Sequence, residues 1–128
     1  SLRDIITLVN GIRRDHPALQ TNEGLRFHAT DNEQLIAYSR SAPDDDDTLL
    51  IVVNLDPHNT QAGWIEFPAH EFGIEADQPY QLHDLLGGGR YIWRNSWNYV
   101  ELNPHALPAH VFHVRRRLRT EHDFDYFD

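Results

Sequence analysis

Between residues 2 and 16, Ile5, Leu8, Val9 and Ile12 recur at the i, i+3, i+4, i+7 spacing of one helical face, while Arg3, Asp4, Asn10, Arg13 and Arg14 fall elsewhere. This pattern predicts an amphipathic helix. Ser1 and Asp4 offer a capping pair at its start, Gly11 weakens it mildly, and Pro17 ends it, because proline disfavours helical geometry at the preceding His16.

Beyond that point the period changes to that of strands, with short apolar or alternating runs broken by turn-formers. Candidate strands run over 25–29, 34–40, 48–55, 63–67, 80–86, 90–94, 98–102 and 109–116, with turns or loops at 30–33, 42–47, 56–60, 87–89, 95–97 and 103–108. Eight short strands so punctuated predict a mainly β protein, an antiparallel sandwich or barrel. Leu49–Val53 is apolar on both faces and reads as a central strand, whereas 34–40 alternates and has one wet face. The expected organisation is a helix in 1–20, a β-domain in 21–118 and an acidic aromatic tail in 119–128 that holds Phe124, Tyr126 and Phe127.

Composition narrows the function classes. With 128 residues, 40% of them hydrophobic and 24% charged, the chain reads as one ordered domain. A formal charge of −9 disfavours nucleic acid and anionic membrane, which need a basic face, and no apolar run approaches the roughly 18 residues of a membrane span. Cysteine is absent, which fits a reducing, cytoplasmic setting and removes thiolate chemistry. Methionine is also absent, and an opening at Ser1 within a helical pattern predicts a piece of a longer polypeptide.

Searching for reaction chemistry yields little. A glycosidase needs two carboxyl groups at a fixed separation, but Glu66, Glu71, Glu75 and Asp77 are scattered, and the consecutive Asp44–Asp47 read as a solvated loop rather than a calcium site with alternating ligands. Among nine histidines, His110 and His113 lie three apart on a strand and so on opposite faces, while His58, His70, His83 and His105 belong to different segments. Surface or capped histidines are expected, with no metal and no cofactor. Gly87–Gly89 lacks the Lys-Ser/Thr of a phosphate loop and reads as a hairpin turn, and the basic cluster Arg115, Arg116, Arg117 and Arg119 is followed at once by acids. Only the aromatics hint at recognition. Trp93 reads as core, whereas Trp97 and Tyr99, near a turn, are candidate carbohydrate contacts because sugar rings stack on flat aromatic faces.

Several stretches carry a resemblance: residues 2–20, 31–39, Val-Val-Asn-Leu-Asp-Pro-His-Asn-Thr-Gln-Ala-Gly-Trp (52–64), Tyr-Gln-Leu-His-Asp-Leu-Leu-Gly-Gly-Gly-Arg-Tyr-Ile-Trp (80–93), 98–104 and Pro-Ala-His-Val-Phe-His-Val (108–114). Together they resemble the C-terminal end of the bacterial α-1,4-glucan:maltose-1-phosphate maltosyltransferases of the α-amylase superfamily. Asn-Leu-Asp-Pro-His with the downstream Gln-x-Gly-Trp is specific to that family, and Asp-Leu-Leu-x-Gly-x-x-Tyr-x-Trp is similar to motifs in several amylase-type C-domains.

The resemblance implies that the helix closes a catalytic (β/α) barrel of the same polypeptide and that a non-catalytic β-sandwich C-domain follows. The parent is then expected to be a retaining glycosyltransferase that extends α-1,4-glucan from maltose 1-phosphate, with its catalytic carboxylates on upstream barrel loops. Ile5, Leu8, Val9 and Ile12 become interdomain packing residues, and their exposure in an isolated chain predicts self-association. Two alternatives stay open: a glucan-binding module using Trp97 and Tyr99, and the C-domain of another amylase-type enzyme such as a trehalose synthase.

Overall fold

The computed structural model describes residues 24–41 and 48–115. The expected helix with Ile5, Leu8, Val9 and Ile12, the acidic run Asp44–Asp47, and the tail 119–128 lie outside the described residues. Within them the chain forms β1 (Arg26–His28), β2 (Leu35–Ser41), β3 (Thr48–Asn54), β4 (Gln61–Glu66), β5 (Tyr80–Asp84), β6 (Arg90–Trp93), β7 (Trp97–Leu102) and β8 (Ala109–Arg115). Each expected strand is present, with ends shifted by at most two residues. The largest consequence is at 95–97, expected as a turn: Asn95 takes the left-handed conformation at φ 58°, and β7 begins already at Trp97.

Six strands pair antiparallel in the order β1-β2-β3-β8-β5-β6, and β4 pairs antiparallel with β7 in a separate ladder. The two sheets enclose the main core. Leu35 and Ala37 of β2, Leu50 and Val52 of β3, Leu82 of β5, Trp93 of β6, and Phe112 and Val114 of β8 face Ile65 of β4 and Val100 and Leu102 of β7. The two-residue period of a strand produces this sorting, since alternate side chains point to opposite faces.

Strand β3 is apolar on both faces and sits inside the large sheet between β2 and β8, as its sequence predicts. Its outward residues Leu49 and Ile51, with Val111 of β8, form a second buried cluster, against which Tyr38, Val53, Leu85 and Leu86 pack. The large sheet is therefore apolar on both sides. A short 3₁₀ turn, Ala69–Phe72, bridges from β4 toward β5; Gly73 ends it at φ 85°. Pattern reading misses it because four residues do not establish a helical period.

Candidate functional site

Among the described residues the most deeply buried carboxylate is Asp84, at 1% exposure on the last position of β5. Its Oδ2 accepts a 2.7 Å hydrogen bond from Nδ1–H of His110, itself 7% exposed, and its Oδ1 accepts backbone N–H bonds from Val111 and Leu86 at 3.1 Å each. Burial raises the carboxyl's pKa, but the hydrogen bond and charge of His110, then the Val111 and Leu86 amides, outweigh that and hold it below the ordinary carboxylate value. Three hydrogen bonds from inside the fold thus engage the carboxylate, and they join β5 to β8 and to the β5–β6 turn.

The histidines therefore divide differently from the sequence expectation of surface or capped rings. His110 stacks on Phe112 at 4.6 Å and lies on the inner side of β8, whereas His113 lies on the opposite face, as its three-residue spacing requires. His28 is half-buried against Phe67 and Phe72, with Nε2 2.7 Å from Ser39 Oγ. Burial, then the neighbouring Arg26, pull its pKa down to about 4 against the opposing pull of Glu71. Among the described residues no three His, Asp or Glu side chains converge as a metal site.

Residues 54–64, which carry the most specific stretch of the resemblance, form a closed polar knot. Asp56 accepts from the backbone amides of His58 and Asn59 and from the side-chain amides of Asn59 and Gln61, which lower its pKa to about 2, the His58 bond most. Asn54 Nδ2 donates to the carbonyls of Asn59 and Leu102, and Asn32 Nδ2 donates to Gln61 Oε1 and the Ala62 carbonyl. Gly63 is required by close approach: a Cβ there would lie 2.6 Å from Asp31 Oδ1 and 3.1 Å from Asn32 Cβ. Asp31 Oδ1 in turn accepts the backbone N–H of Trp64 at 2.8 Å.

That knot delivers Trp64 to the outer face of the β4–β7 ladder, where it stands directly opposite Tyr99. The sequence-predicted Trp97 and Tyr99 lie on the same face, and Trp93 is in the core as expected. Trp64, Trp97 and Tyr99 are 47%, 46% and 52% exposed. The Trp64 and Tyr99 rings meet edge-on, 5.8 Å between centroids and 67° between planes. Sequence reasoning overlooked Trp64 as a contact, although outward Trp64 and Glu66 alternating with inward Gly63 and Ile65 was the available signal.

The outward acids of this ladder, Glu66 and Glu101, flank Trp97 and Ala62 respectively. Four residue steps put their backbone positions about 13 Å apart along the strands, wider than the roughly 5–9.5 Å between the carboxyl groups of a glycosidase pair.

The family described as GLGE, C-terminal, matches residues 27–114, the span from β1 to the end of β8. The chain is 46% identical over 114 residues to an α-1,4-glucan:maltose-1-phosphate maltosyltransferase of Methylacidiphilum infernorum, covering 89% of this chain and 17% of that protein. It is 40% identical over 120 residues to the enzyme of the same name from Chlorobaculum tepidum, covering 89% and 18%. A second maltosyltransferase of Streptomyces coelicolor is 46% identical over 116 residues, covering 91% and 17%. The chain thus spans less than a fifth of the length of these relatives. Among solved structures, a crystal structure of an AmyP variant in complex with maltotriose superposes with a TM-score of 0.57 at 25% identity, over 80% of this chain and 18% of that one. By its sequence, and with a fold to match, the chain belongs to the GLGE C-terminal family, the C-terminal domains of α-amylase-like maltosyltransferases.

Proposed function

We propose that this chain is the non-catalytic C-terminal domain of a cytoplasmic retaining maltosyltransferase that extends α-1,4-glucan from maltose 1-phosphate, and that it packs against the catalytic barrel of the same polypeptide. The observation that carries this reading is that residues 27–114 match a C-terminal family while the chain covers only 17–18% of the maltosyltransferases it resembles, so the remainder of such a polypeptide is there to pack against. Residues 2–16, with Ile5, Leu8, Val9 and Ile12, are the proposed link to the barrel.

A domain swap tests this. The C-terminal segment of the Methylacidiphilum infernorum relative is replaced by this chain, and phosphate release from maltose 1-phosphate is followed with a malto-oligosaccharide acceptor. The chimera is expected to be soluble and active, Ile5→Asp with Val9→Asp to abolish both properties, and the chain alone to release no phosphate. Turnover by the chain alone, or a chimera that fails while the relative rejoined to its own segment works, overturns the reading.

A further inference from the structure

Three large aromatic rings on the outer face of the β4–β7 ladder contribute little to the core. Trp97 and Tyr99 are two residues apart on β7, hence on one face about 7 Å from each other, and Trp64 faces Tyr99 across the ladder and Trp97 on the diagonal. Glu66 stands opposite Trp97, and Glu101 lies beyond Tyr99, so the rings have a carboxylate at each end.

We propose that Trp64, Tyr99 and Trp97, with Glu66 and Glu101 at the rim, form a binding face for α-1,4-linked glucan. A pyranose ring has C–H-rich faces that stack on indole and phenol, and an edge of hydroxyls that donate to carboxylates. Protein interfaces are depleted of charge at their centres, so a protein seated here would have to desolvate Glu66 and Glu101, whereas a neutral polyhydroxylated ligand leaves them hydrated or gives them hydroxyl donors. The charge of −9 turns away anionic partners. Ring inclination selects the linkage. A β-1,4 glucan is a flat ribbon that needs coplanar platforms, but the axial bond of an α-1,4 linkage bends the chain, and planes inclined by 67° receive successive tilted sugars.

This face lies across the main core from Leu49, Ile51 and Val111, so glucan binding and packing of the large sheet do not compete. A glucan held here stays tethered near a catalytic partner, which raises its effective concentration. The inference rests on the proposed function for the choice of glucan as ligand, while the linkage preference is argued from the ring inclination.

The test is affinity electrophoresis of the 128-residue chain in gels containing amylopectin, paired with tryptophan fluorescence titrations with maltoheptaose and cellohexaose. Trp64 and Trp97 are positioned to report, and Trp93 is buried. Retardation by amylopectin, saturable quenching by maltoheptaose and no response to cellohexaose are expected. Trp64→Ala and Tyr99→Ala should each weaken binding about tenfold, as loss of a stacking ring does elsewhere, while Ile92→Ala, exposed on β6, changes nothing. A folded chain that runs unretarded, an equal response to cellohexaose, or retention unchanged in the Trp64→Ala/Tyr99→Ala double variant overturns the proposal. So does a Trp64-dependent dimer in sedimentation equilibrium, which would assign the face to a second copy. A negative result here with an active chimera removes the glucan face and leaves the packing role standing.

Discussion

Replacing Asp84 tests how much of the sandwich hangs on one buried carboxylate. In Asp84→Ala, His110 Nδ1–H and the amides of Val111 and Leu86 lose their acceptor at a site almost closed to water. Each orphaned buried donor costs about 1–3 kcal/mol, and breaking a buried charged pair about 3–5 kcal/mol. These figures overlap rather than add, because water entering the vacated space satisfies part of the deficit. A loss of about 3–5 kcal/mol follows, a large share of the ~5–15 kcal/mol that holds a domain together.

Asp84→Asn should be milder. Its Oδ1 keeps both backbone bonds, and only the His110 contact changes, from acceptor to donor, which forces the ring to its other tautomer at about 1–2 kcal/mol. Urea unfolding followed through Trp93, which packs on Phe112 at 5.6 Å, reads both variants at unchanged slope. The native carboxyl has a lowered folded pKa, so the stability it contributes is present above the unfolded value of 3.8 and is lost as pH falls through the folded one. Asp84→Asn should abolish that acid limb. An Asp84→Ala variant within ~1 kcal/mol of the parent, or an Asn variant less stable than Ala, refutes the account.

His28 is neutral in the fold down to about pH 4, so between 6.5 and 4 the unfolded chain binds the extra proton; stability should fall across that window by about 1–2 kcal/mol after discounting for partial exposure, and His28→Gln should flatten the dependence. The check is chemical denaturation at a series of pH values. Gly63→Ala should cost about 1–3 kcal/mol, read as a lower melting temperature, because the new methyl would sit 2.6 Å from Asp31 Oδ1, the acceptor of the Trp64 amide, with Asn32 Cβ at 3.1 Å and Leu35 Cδ1 at 3.3 Å. A variant as stable as the parent would show that Asp31 moves aside freely.

The fold was legible wherever one physical signal acted alone. Alternation located β2, and the doubly apolar run located β3 and made it central. Gly87–Gly89 reads as a turn, and Gly88 indeed has φ 83°. The Asp84–His110 pair was not legible, because its members lie 26 residues apart and meet only through the β5–β8 register, which no local period encodes. His110 was expected as a surface or capped ring because nothing local to Ala109–Arg115 shows that Asp84 lies within reach of it. Trp97 and Tyr99 were visible as aromatics near a turn, but Trp64 enters their group only through the pairing of β4 with β7.

The polar knot and the aromatic face are two ends of one device. The side chains of Asp56, Asn54 and Asn32 are hydrogen-bonded to the Asn59 and Gln61 side chains and to the backbone, which ties down the segment from 54 to 62. Gly63 lets the chain pass against Asp31, and Asp31 then fixes the Trp64 amide in the middle of β4. Trp64 is thus carried by a clamped strand, not by a loop that must order itself, and its partners Trp97 and Tyr99 are held by the same ladder. Rings placed in this way lose little conformational freedom when something stacks on them, so a modest contact area suffices for useful affinity. The stretch 54–64 therefore acts on the outer surface through backbone placement, and its final residue is the one whose side chain that placement leaves on the outside.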